Sequence, residues 1–205
     1  SRGLGDVYKR QLMLFVFNPI IGVINDALAN LLNSMGSTSK VILGIVLGGM
    51  MAIDMGGPIN KAAYVFGTMS IANGNYDIMA AVMVGGMVPP IGIALATTFF
   101  KNRFSKSERQ SGITNYVMGL AFITEGAIPF AAADPLHVIP ATAVGAAVAG
   151  ALSMVFGCTL MAPHGGLFVF PVVGNWPMYL VALAAGSVIT MFMLALLKKP
   201  VYKEN

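Results

Sequence analysis

Long apolar segments, broken at a few polar residues, form the main pattern of this chain. The continuous ones cover residues 41–53, 78–100, 113–130, 138–156 and 178–197. They do not alternate apolar and polar positions over about ten residues, as membrane β-strands do. Because about 20 apolar residues make a helix that spans the roughly 30 Å hydrocarbon core of a bilayer, the pattern predicts several transmembrane helices.

Two of these apolar regions are broken by charged, glycine and proline residues. The breaks are DMGGPINK at residues 54–61 and ITEGAIPF at residues 123–130. Helices that end inside a membrane are tolerated where the freed backbone groups line a cavity or are buried in protein. The second break contains Glu125, and a charge at the bilayer centre costs about 2.5–3.5 kcal/mol on insertion scales. We therefore predict a binding site at Glu125.

Other polar residues in apolar surroundings are weaker candidates. Asp54 and Lys61 lie seven residues apart in the first break, and we expect them to offset each other's desolvation or simply to neutralise each other. His164 lies in a third break, APHGG at residues 162–166, where a neutral imidazole can hydrogen-bond a polyol or relay protons. Asp134 is expected to cap the helix that begins near residue 136.

The distribution of basic residues predicts the topology. Residues 101–109 hold four of the 12 Lys and Arg residues, and the C-terminal end holds Lys198, Lys199 and Lys203. By the positive-inside rule, both the loop at 101–109 and the C-terminus are expected to be cytoplasmic. An even number of crossings must then separate them.

Three apolar segments, 113–130, 138–156 and 178–197, follow the basic loop. Either one of them re-enters without crossing, or residues 160–173 supply a fourth crossing. The breaks at Pro129, Pro163 and Gly165-Gly166 favour re-entrant hairpins. The predicted fold is therefore all-α, a polytopic transmembrane helical transporter with re-entrant hairpins.

Composition agrees with the membrane class. Hydrophobic residues make up 57% of the 205 residues and charged ones 10%, against about a quarter charged in soluble domains. Basic residues lie in short clusters between apolar segments and indicate topology before ligand binding, so no nucleic-acid partner is expected. The single cysteine, Cys158, and two distant histidines give no metal-ligand spacing, and we predict neither a metal nor another cofactor.

The sequence is predicted to consist of three parts of unequal length. Residues 1–11, SRGLGDVYKRQ, contain no Met and no apolar signal-peptide region, and we expect this lead to be non-native. Residues 12–200 are assigned to a transmembrane domain and residues 201–205 to a cytoplasmic tail. Residues 12–32 are polar for a lipid-facing span and are expected to lie at the interface or line a protein interior.

Three motifs, in this order, closely resemble the enzyme IIC membrane component of the fructose-specific phosphoenolpyruvate-dependent sugar phosphotransferase system (PTS). They are AIDMGGPINKAAY at residues 52–64, ITEGAIPFAAADP at 123–135 and APHGG at 162–166. The resemblance covers residues 12–200 and implies the C-terminal part of that family's membrane domain, without several N-terminal helices. It also implies a homodimeric, multi-pass permease of the bacterial inner membrane.

The resemblance implies a mechanism as well. Such a permease binds fructose outside, carries it inward and presents a hydroxyl to a phosphocysteine of a cytoplasmic IIB domain, giving fructose 1-phosphate. IIB is supplied through IIA and HPr-type phosphocarriers, and its donor cysteine is not in this chain. Glu125, following Thr124, would hold the reacting hydroxyl and act as general base. The implied substrate-binding residues are Asp54, Asn60, Lys61, Thr124, Glu125 and His164.

This chain departs from some branches of the resembling family, in which a histidine upstream of the glutamate shares its task. No histidine precedes Glu125, so Asp54, Asn60 or Lys61 would take that place. Mannitol or another hexose remains an alternative to fructose. Two other classes stay open: an ion-coupled secondary sugar transporter in which Glu125 and Asp54 bind Na⁺ or protons, and a non-transporting membrane subunit with structural ion pairs.

Overall fold

A computed structural model describes residues 37–200 continuously, together with the isolated positions 11, 15, 30 and 34. The chain divides into two compact units, residues 1–36 and residues 37–205, and the continuously described residues belong to the second unit. The predictions for residues 1–11, 12–32 and 201–205 fall outside the continuously described segment.

The described part of this unit is almost entirely helical. Its α-helices are α1 (Ser37–Ile53), α2 (Pro58–Ala72), α3 (Tyr76–Phe99), α4 (Lys106–Leu120), α5 (Ile128–Ala133), α6 (Pro135–Val155) and α7 (Trp176–Leu197). Short 3-10 helices cover Lys101–Arg103, Thr124–Ala127 and Gly166–Val172. Two antiparallel strands, β1 (Thr159–Leu160) and β2 (Val173–Gly174), pair Thr159 with Gly174 and Leu160 with Val173. The predicted all-α class is confirmed.

Within the described residues, α3, α6 and α7 are long and apolar enough to span a membrane. They contain 24, 21 and 22 residues, with mean hydropathies of 2.0, 1.9 and 2.4. These helices coincide with the predicted segments 78–100, 138–156 and 178–197. α1 is apolar but has only 17 residues, which is at the short limit for a span.

Helix α3 lies at the centre of the unit. Its most apolar window is 89% buried, against 44% for α6 and α7. It packs against α1, α2, α4, α6 and α7. Glycines allow the closest approaches: Gly85 of α3 faces the backbone of Gly48 in α1, while Gly44 of α1 faces that of Gly150 in α6. Small residues where two helices cross let their backbones approach closely, as in other membrane helix pairs.

The predicted apolar segment 113–130 is not one helix. α4 ends at Leu120, the chain turns, and the 3-10 helix Thr124–Ala127 leads into α5. Pro129 occupies the first turn of α5, where its missing N–H costs nothing, so it begins a helix and does not end one. The 15 residues of α4 extend about 22 Å, less than a roughly 30 Å hydrocarbon core.

Both ends of the α4–α5 segment lie at the same end of the unit. Lys198, just after α7, places its Nζ 3.3 Å from Glu108 Oε1 and 3.5 Å from Asp134 Oδ2. Arg103 Nη1 donates to the Lys198 carbonyl oxygen, and the Phe104 and Phe130 rings are 6.5 Å apart. The segment therefore leaves this end and returns to it, in agreement with the predicted re-entrant hairpin.

Two further expectations need correction. Asp134 precedes α6 as predicted, but its carboxylate does not cap the helix; it contacts His137 Nδ1 at 2.7 Å and Lys198. The alternative prediction, that residues 160–173 form a fourth membrane crossing, is wrong. That segment contains strand residues and a seven-residue 3-10 helix, which extends about 14 Å and is too short to cross a bilayer.

Candidate functional site

The three broken segments identified in the sequence meet at one cavity of about 310 Å³. The α1–α2 break, the turn after α4 and the loop before the 3-10 helix Gly166–Val172 all contribute to it. Its volume lies at the lower end of the roughly 300–1,000 Å³ range of small-molecule sites. The lining residues are Met51, Asn60, Lys61, Tyr64, Phe122, Thr124, Glu125 and His164.

A cation and an anion face each other in this cavity. Lys61 Nζ, from the first turn of α2, donates to Glu125 Oε1 at 3.1 Å. Their side chains are 56% and 42% exposed, so both charged groups remain accessible. A partly exposed ion pair contributes little to stability, about 0–1 kcal/mol, and can exchange partners cheaply.

The environment keeps Glu125 ionised. Burial alone would raise the pKa of Glu125, but its backbone hydrogen bond, the hydrogen bond and charge of Lys61 and the charge of His164 together lower that pKa. Glu125 lies in the break between α4 and α5, outside the three spanning helices. An ionised carboxylate only accepts hydrogen bonds, which suits a sugar hydroxyl. With a lowered pKa it is a weaker general base than one titrating near pH 7.

Asp54 has a different place from the one predicted. Its Oδ2 accepts the Ile59 N–H at 2.9 Å, near the start of α2, where Pro58 has no N–H of its own. Asp54 does not line the cavity, and Lys61 pairs with Glu125 and not with Asp54. The predicted Asp54–Lys61 pair is therefore wrong, because the approach of the second break provides Lys61 with a closer carboxylate.

Asn60 and Thr124 are buried residues that hold the broken segments in place. Asn60 is 2% exposed, and its Nδ2 donates to the Met51 carbonyl oxygen at 2.8 Å, near the end of α1. Thr124 is 3% exposed, and its Oγ1 donates to the Gly86 carbonyl oxygen of α3 at 2.8 Å. Both residues also line the cavity, and their role as sugar ligands stays a prediction.

The Thr124 hydrogen bond compensates for a proline in α3. In an α-helix the carbonyl of Gly86 would accept from the N–H of residue 90, but Pro90 has none. The helix nevertheless continues through Pro89 and Pro90. Thr124 supplies the missing donor, so the second break is attached to the central helix at the point where that helix lacks a hydrogen bond.

Aromatic rings form another wall of the cavity. The His164 ring centroid lies 4.8 Å from that of Phe122 and 6.3 Å from that of Tyr64. Sequence reasoning missed Tyr64 and Phe122. The available signal was position: Tyr64 ends the first motif, and Phe122 lies two residues before Thr124.

Gly56 allows the first break to approach Glu125. It adopts φ of 78°, and a Cβ added there would lie 2.8 Å from Glu125 Cγ. A side chain at this position would therefore be strained by the backbone and would displace the carboxylate. Gly166, with φ of 56°, similarly brings the third break against the backbone at Leu120 and Phe122.

These features define an all-α polytopic membrane transporter with a polar cavity at its broken helices. No family model matches the chain. No solved structure matches it either.

Curated relatives do match. The chain is 56% identical over 201 residues to the fructose permease IIC component of Bacillus amyloliquefaciens, covering 98% of this chain and 66% of that protein. It is 56% identical over 193 residues to the PTS system fructose-specific EIIABC component of Bacillus subtilis, covering 94% of this chain and 30% of that protein. The PTS system fructose-specific EIIB'BC component of Escherichia coli is 46% identical over 196 residues, covering 92% and 34%.

The chain belongs to the family of fructose-specific enzyme IIC membrane components of the phosphotransferase system. It spans 66% of the length of the Bacillus amyloliquefaciens relative and about a third of the two longer ones.

Proposed function

We propose that this chain forms the sugar-binding part of a permease that carries fructose across the membrane for phosphorylation to fructose 1-phosphate. The observation that carries the proposal is the cavity in which Glu125 and Lys61 face each other beside His164. Relatives that cover most of this chain are named fructose permease and fructose-specific components, which supports fructose over mannitol or another hexose.

The cavity offers the groups that a polyol needs. Glu125 accepts from one hydroxyl, Lys61 donates to another, and His164 supplies either function according to its tautomer. Thr124 has its proton committed to Gly86 and presents its oxygen, whereas Asn60 has one N–H committed to Met51 and keeps its other N–H and its oxygen. The aromatic wall supplies the apolar surface typical of small-molecule sites. Asp54 acts by capping α2 and is not proposed as a ligand.

Glu125 is proposed to hold the hydroxyl that receives the phosphoryl group. In the transfer, that hydroxyl oxygen attacks the phosphorus of the IIB phosphocysteine, the S–P bond breaks, the cysteine leaves as thiolate and an O–P bond forms. The hydroxyl proton passes to the Glu125 carboxylate. When the sugar displaces Lys61 from Glu125, the carboxylate loses a stabilising charge and becomes a better base.

The donor cysteine is proposed to belong to a IIB partner. Cys158 is fully buried, and its Sγ lies against the Asn175 carbonyl oxygen at 3.8 Å, so it is not placed for phosphoryl transfer. The names EIIABC and EIIB'BC of the relatives indicate IIB and IIC parts in one protein. IIA and HPr-type phosphocarriers upstream, and a homodimer of this chain, complete the proposed assembly.

The proposed location is the bacterial inner membrane, with the loop at 101–109 and the C-terminus cytoplasmic. The contacts of Arg103 and Glu108 with Lys198 support a common side for the loop and the C-terminal end. The hairpin of α4 and α5 then leaves α6 and α7 as the two crossings between them. Residues 12–200 are assigned to the membrane domain.

An ion-coupled transporter is not proposed. It would use Glu125 and Asp54 together, whereas Asp54 lies outside the cavity and caps a helix. The names of the relatives also give no support to ion coupling.

Membrane vesicles containing the full-length protein and phosphorylated IIB test the proposed activity. Radiolabelled fructose and mannitol are supplied at equal concentrations, with unphosphorylated IIB as the control. We expect fructose 1-phosphate to form only with phosphorylated IIB, and mannitol to react poorly. Fructose accumulation that follows an imposed Na⁺ or proton gradient without phosphorylation would contradict the proposal.

A further inference from the structure

A second cavity, of about 500 Å³, lies between the C-terminal end of α3 and the N-terminal half of α4. Three cationic side chains, Lys101, Lys106 and Arg109, line it. It shares no lining residue with the Glu125 cavity. A hydrogen bond of 2.9 Å between Thr98 Oγ1 and the Tyr116 hydroxyl joins α3 to α4 at this cavity. It is therefore a separate, strongly basic site that the sugar chemistry does not use.

The positive charge of this cavity is not compensated by the part of the chain that the structure describes. Lys101, Lys106 and Arg109 have no carboxylate within ion-pair distance there. Glu108, their acidic neighbour in sequence, accepts from the Ser105 N–H at 2.7 Å and from Lys198 Nζ at 3.3 Å. Its charge is therefore already engaged on another side of α4, next to α7.

Arg109 adds a more specific signal. Its Nε is buried and has no hydrogen-bond partner among the described residues. A buried donor of a charged group without a partner costs about 1–3 kcal/mol or more, so such groups normally meet an acceptor. A phosphate oxygen is the acceptor that best matches a guanidinium that lines the same cavity as two ammonium groups.

An apolar stripe continues from the cavity along α4. Ile113 lines the cavity and is 66% exposed, and Val117 and Leu120, four and seven residues further on, are 70% and 38% exposed. This spacing places the three side chains on one face of the helix. A free phosphate or a sugar phosphate has no group for that stripe, whereas a fatty acyl chain does.

We propose that this cavity binds an anionic glycerophospholipid. Its phosphate contacts Lys101, Lys106 and Arg109, and an acyl chain lies along Ile113, Val117 and Leu120. Basic pockets beside membrane helices on the cytoplasmic side are a known setting for anionic lipid head groups. Such a lipid contacts both α3 and α4, and thus fixes the first helix of the re-entrant hairpin against the central helix. This inference does not depend on which sugar is carried.

Native mass spectrometry of the full-length protein in a neutral detergent tests the proposal, with phosphatidylglycerol and phosphatidylcholine of identical acyl chains as probes. We expect phosphatidylglycerol to bind more tightly than phosphatidylcholine. The double variant Lys106→Gln/Arg109→Gln should weaken phosphatidylglycerol binding by about fivefold for each removed charge. Lys199→Gln, which removes an exposed lysine outside the cavity, should leave it unchanged.

Three outcomes would overturn the proposal. Equal affinities of the two lipids would remove the role of the cationic residues. An unchanged affinity of the double variant, with its thermal unfolding also unchanged, would place the lipid elsewhere. Glycerol 3-phosphate that binds as tightly as phosphatidylglycerol and competes with it would show that the site takes a soluble phosphate ester and not a lipid.

Discussion

At the scale of residues, the proposed function depends on the contact between Lys61 and Glu125. Both were recognised in the sequence, but 64 residues separate them, and no local pattern indicates that they meet. The nearer carboxylate, Asp54, was the natural partner by spacing, and it caps a helix instead. Sequence thus indicates which charged groups are candidates for a function, because charges are rare in apolar segments. Which of these groups pair depends on how the breaks approach each other.

Replacement of Lys61 should change the pH dependence of sugar phosphorylation. Lys61→Met removes the hydrogen bond and charge that lower the pKa of Glu125, so that pKa rises. Because the site needs the ionised carboxylate to accept a hydroxyl, the acid limb of the profile of kcat/KM for fructose should move to higher pH. Lys40→Met, which removes an ion pair with Asp77 elsewhere, serves as the control. Identical acid limbs in wild type and Lys61→Met would count against the role assigned to this pair.

Thr124 should contribute to stability through its bond to Gly86. Thr124→Val keeps the shape but leaves the Gly86 carbonyl oxygen without a donor, at a cost of about 1–3 kcal/mol. Thr124→Ser should restore most of this loss. Thr68, whose hydroxyl donates locally to the Val65 carbonyl oxygen at an exposed position, gives a control: Thr68→Val should change stability by no more than about 0.5 kcal/mol. Thermal unfolding in detergent measures all three, and equal losses for the two valine variants would contradict the assignment.

At the scale of elements, the candidate site is formed by the ends of broken helices. The sequence located all three breaks from glycine, proline and charge, and these do converge on one cavity. The position of the second break was predicted less well. Pro129 suggested that a helix ends there, but α4 already ends at Leu120. It ends early because Phe122 takes a positive φ and Gly166 packs against the turn. That contact joins residues distant in sequence and has no local signature.

Gly56 provides a test of how closely the first break must approach Glu125 in the second break. Gly56→Ala introduces a Cβ 2.8 Å from Glu125 Cγ and should lower sugar phosphorylation strongly. Gly74 has almost the same backbone, with φ of 76°, but nothing lies within 4 Å of its Cβ position. Both alanines incur roughly 1–2 kcal/mol of backbone strain, so only the contact with Glu125 distinguishes them. Phosphorylation rates of the two variants, normalised to inserted protein, should differ; similar rates would mean that the carboxylate tolerates displacement.

At the scale of the whole molecule, the arrangement of crossings was predictable only as two alternatives. The number of apolar segments between the basic loop at 101–109 and the basic C-terminal end was odd. The sequence therefore allowed either a segment that re-enters without crossing or a fourth crossing. The contacts of Lys198 with Glu108 and Asp134 favour re-entry, since they bring both ends of the α4–α5 segment together. The aromatic wall and the basic cavity between α3 and α4 likewise form only when separate helices are assembled.

Cysteine accessibility tests this topology in intact cells. In a Cys158→Ala background, single cysteines at Arg103 and Lys199 should both react with a membrane-permeant maleimide and resist an impermeant one. The direct contact of Arg103 with Lys198 requires a common side. Labelling of the two positions from opposite sides would refute the re-entrant hairpin.

A comparison of Glu125→Gln with wild type, in membranes supplied with phosphorylated IIB and radiolabelled fructose, tests the proposed role of Glu125 in sugar phosphorylation. Glutamine keeps the shape but removes the charge that holds the reacting hydroxyl, so we predict at least a tenfold lower rate of fructose 1-phosphate formation, because hydrogen bonds to charged groups contribute about 1.5–3 kcal/mol. Asp77→Asn, which changes a carboxylate that pairs with Lys40 and does not line the cavity, should retain the wild-type rate. If Glu125→Gln phosphorylates fructose as fast as wild type while equally inserted, the Lys61–Glu125 pair is structural and the sugar binds elsewhere.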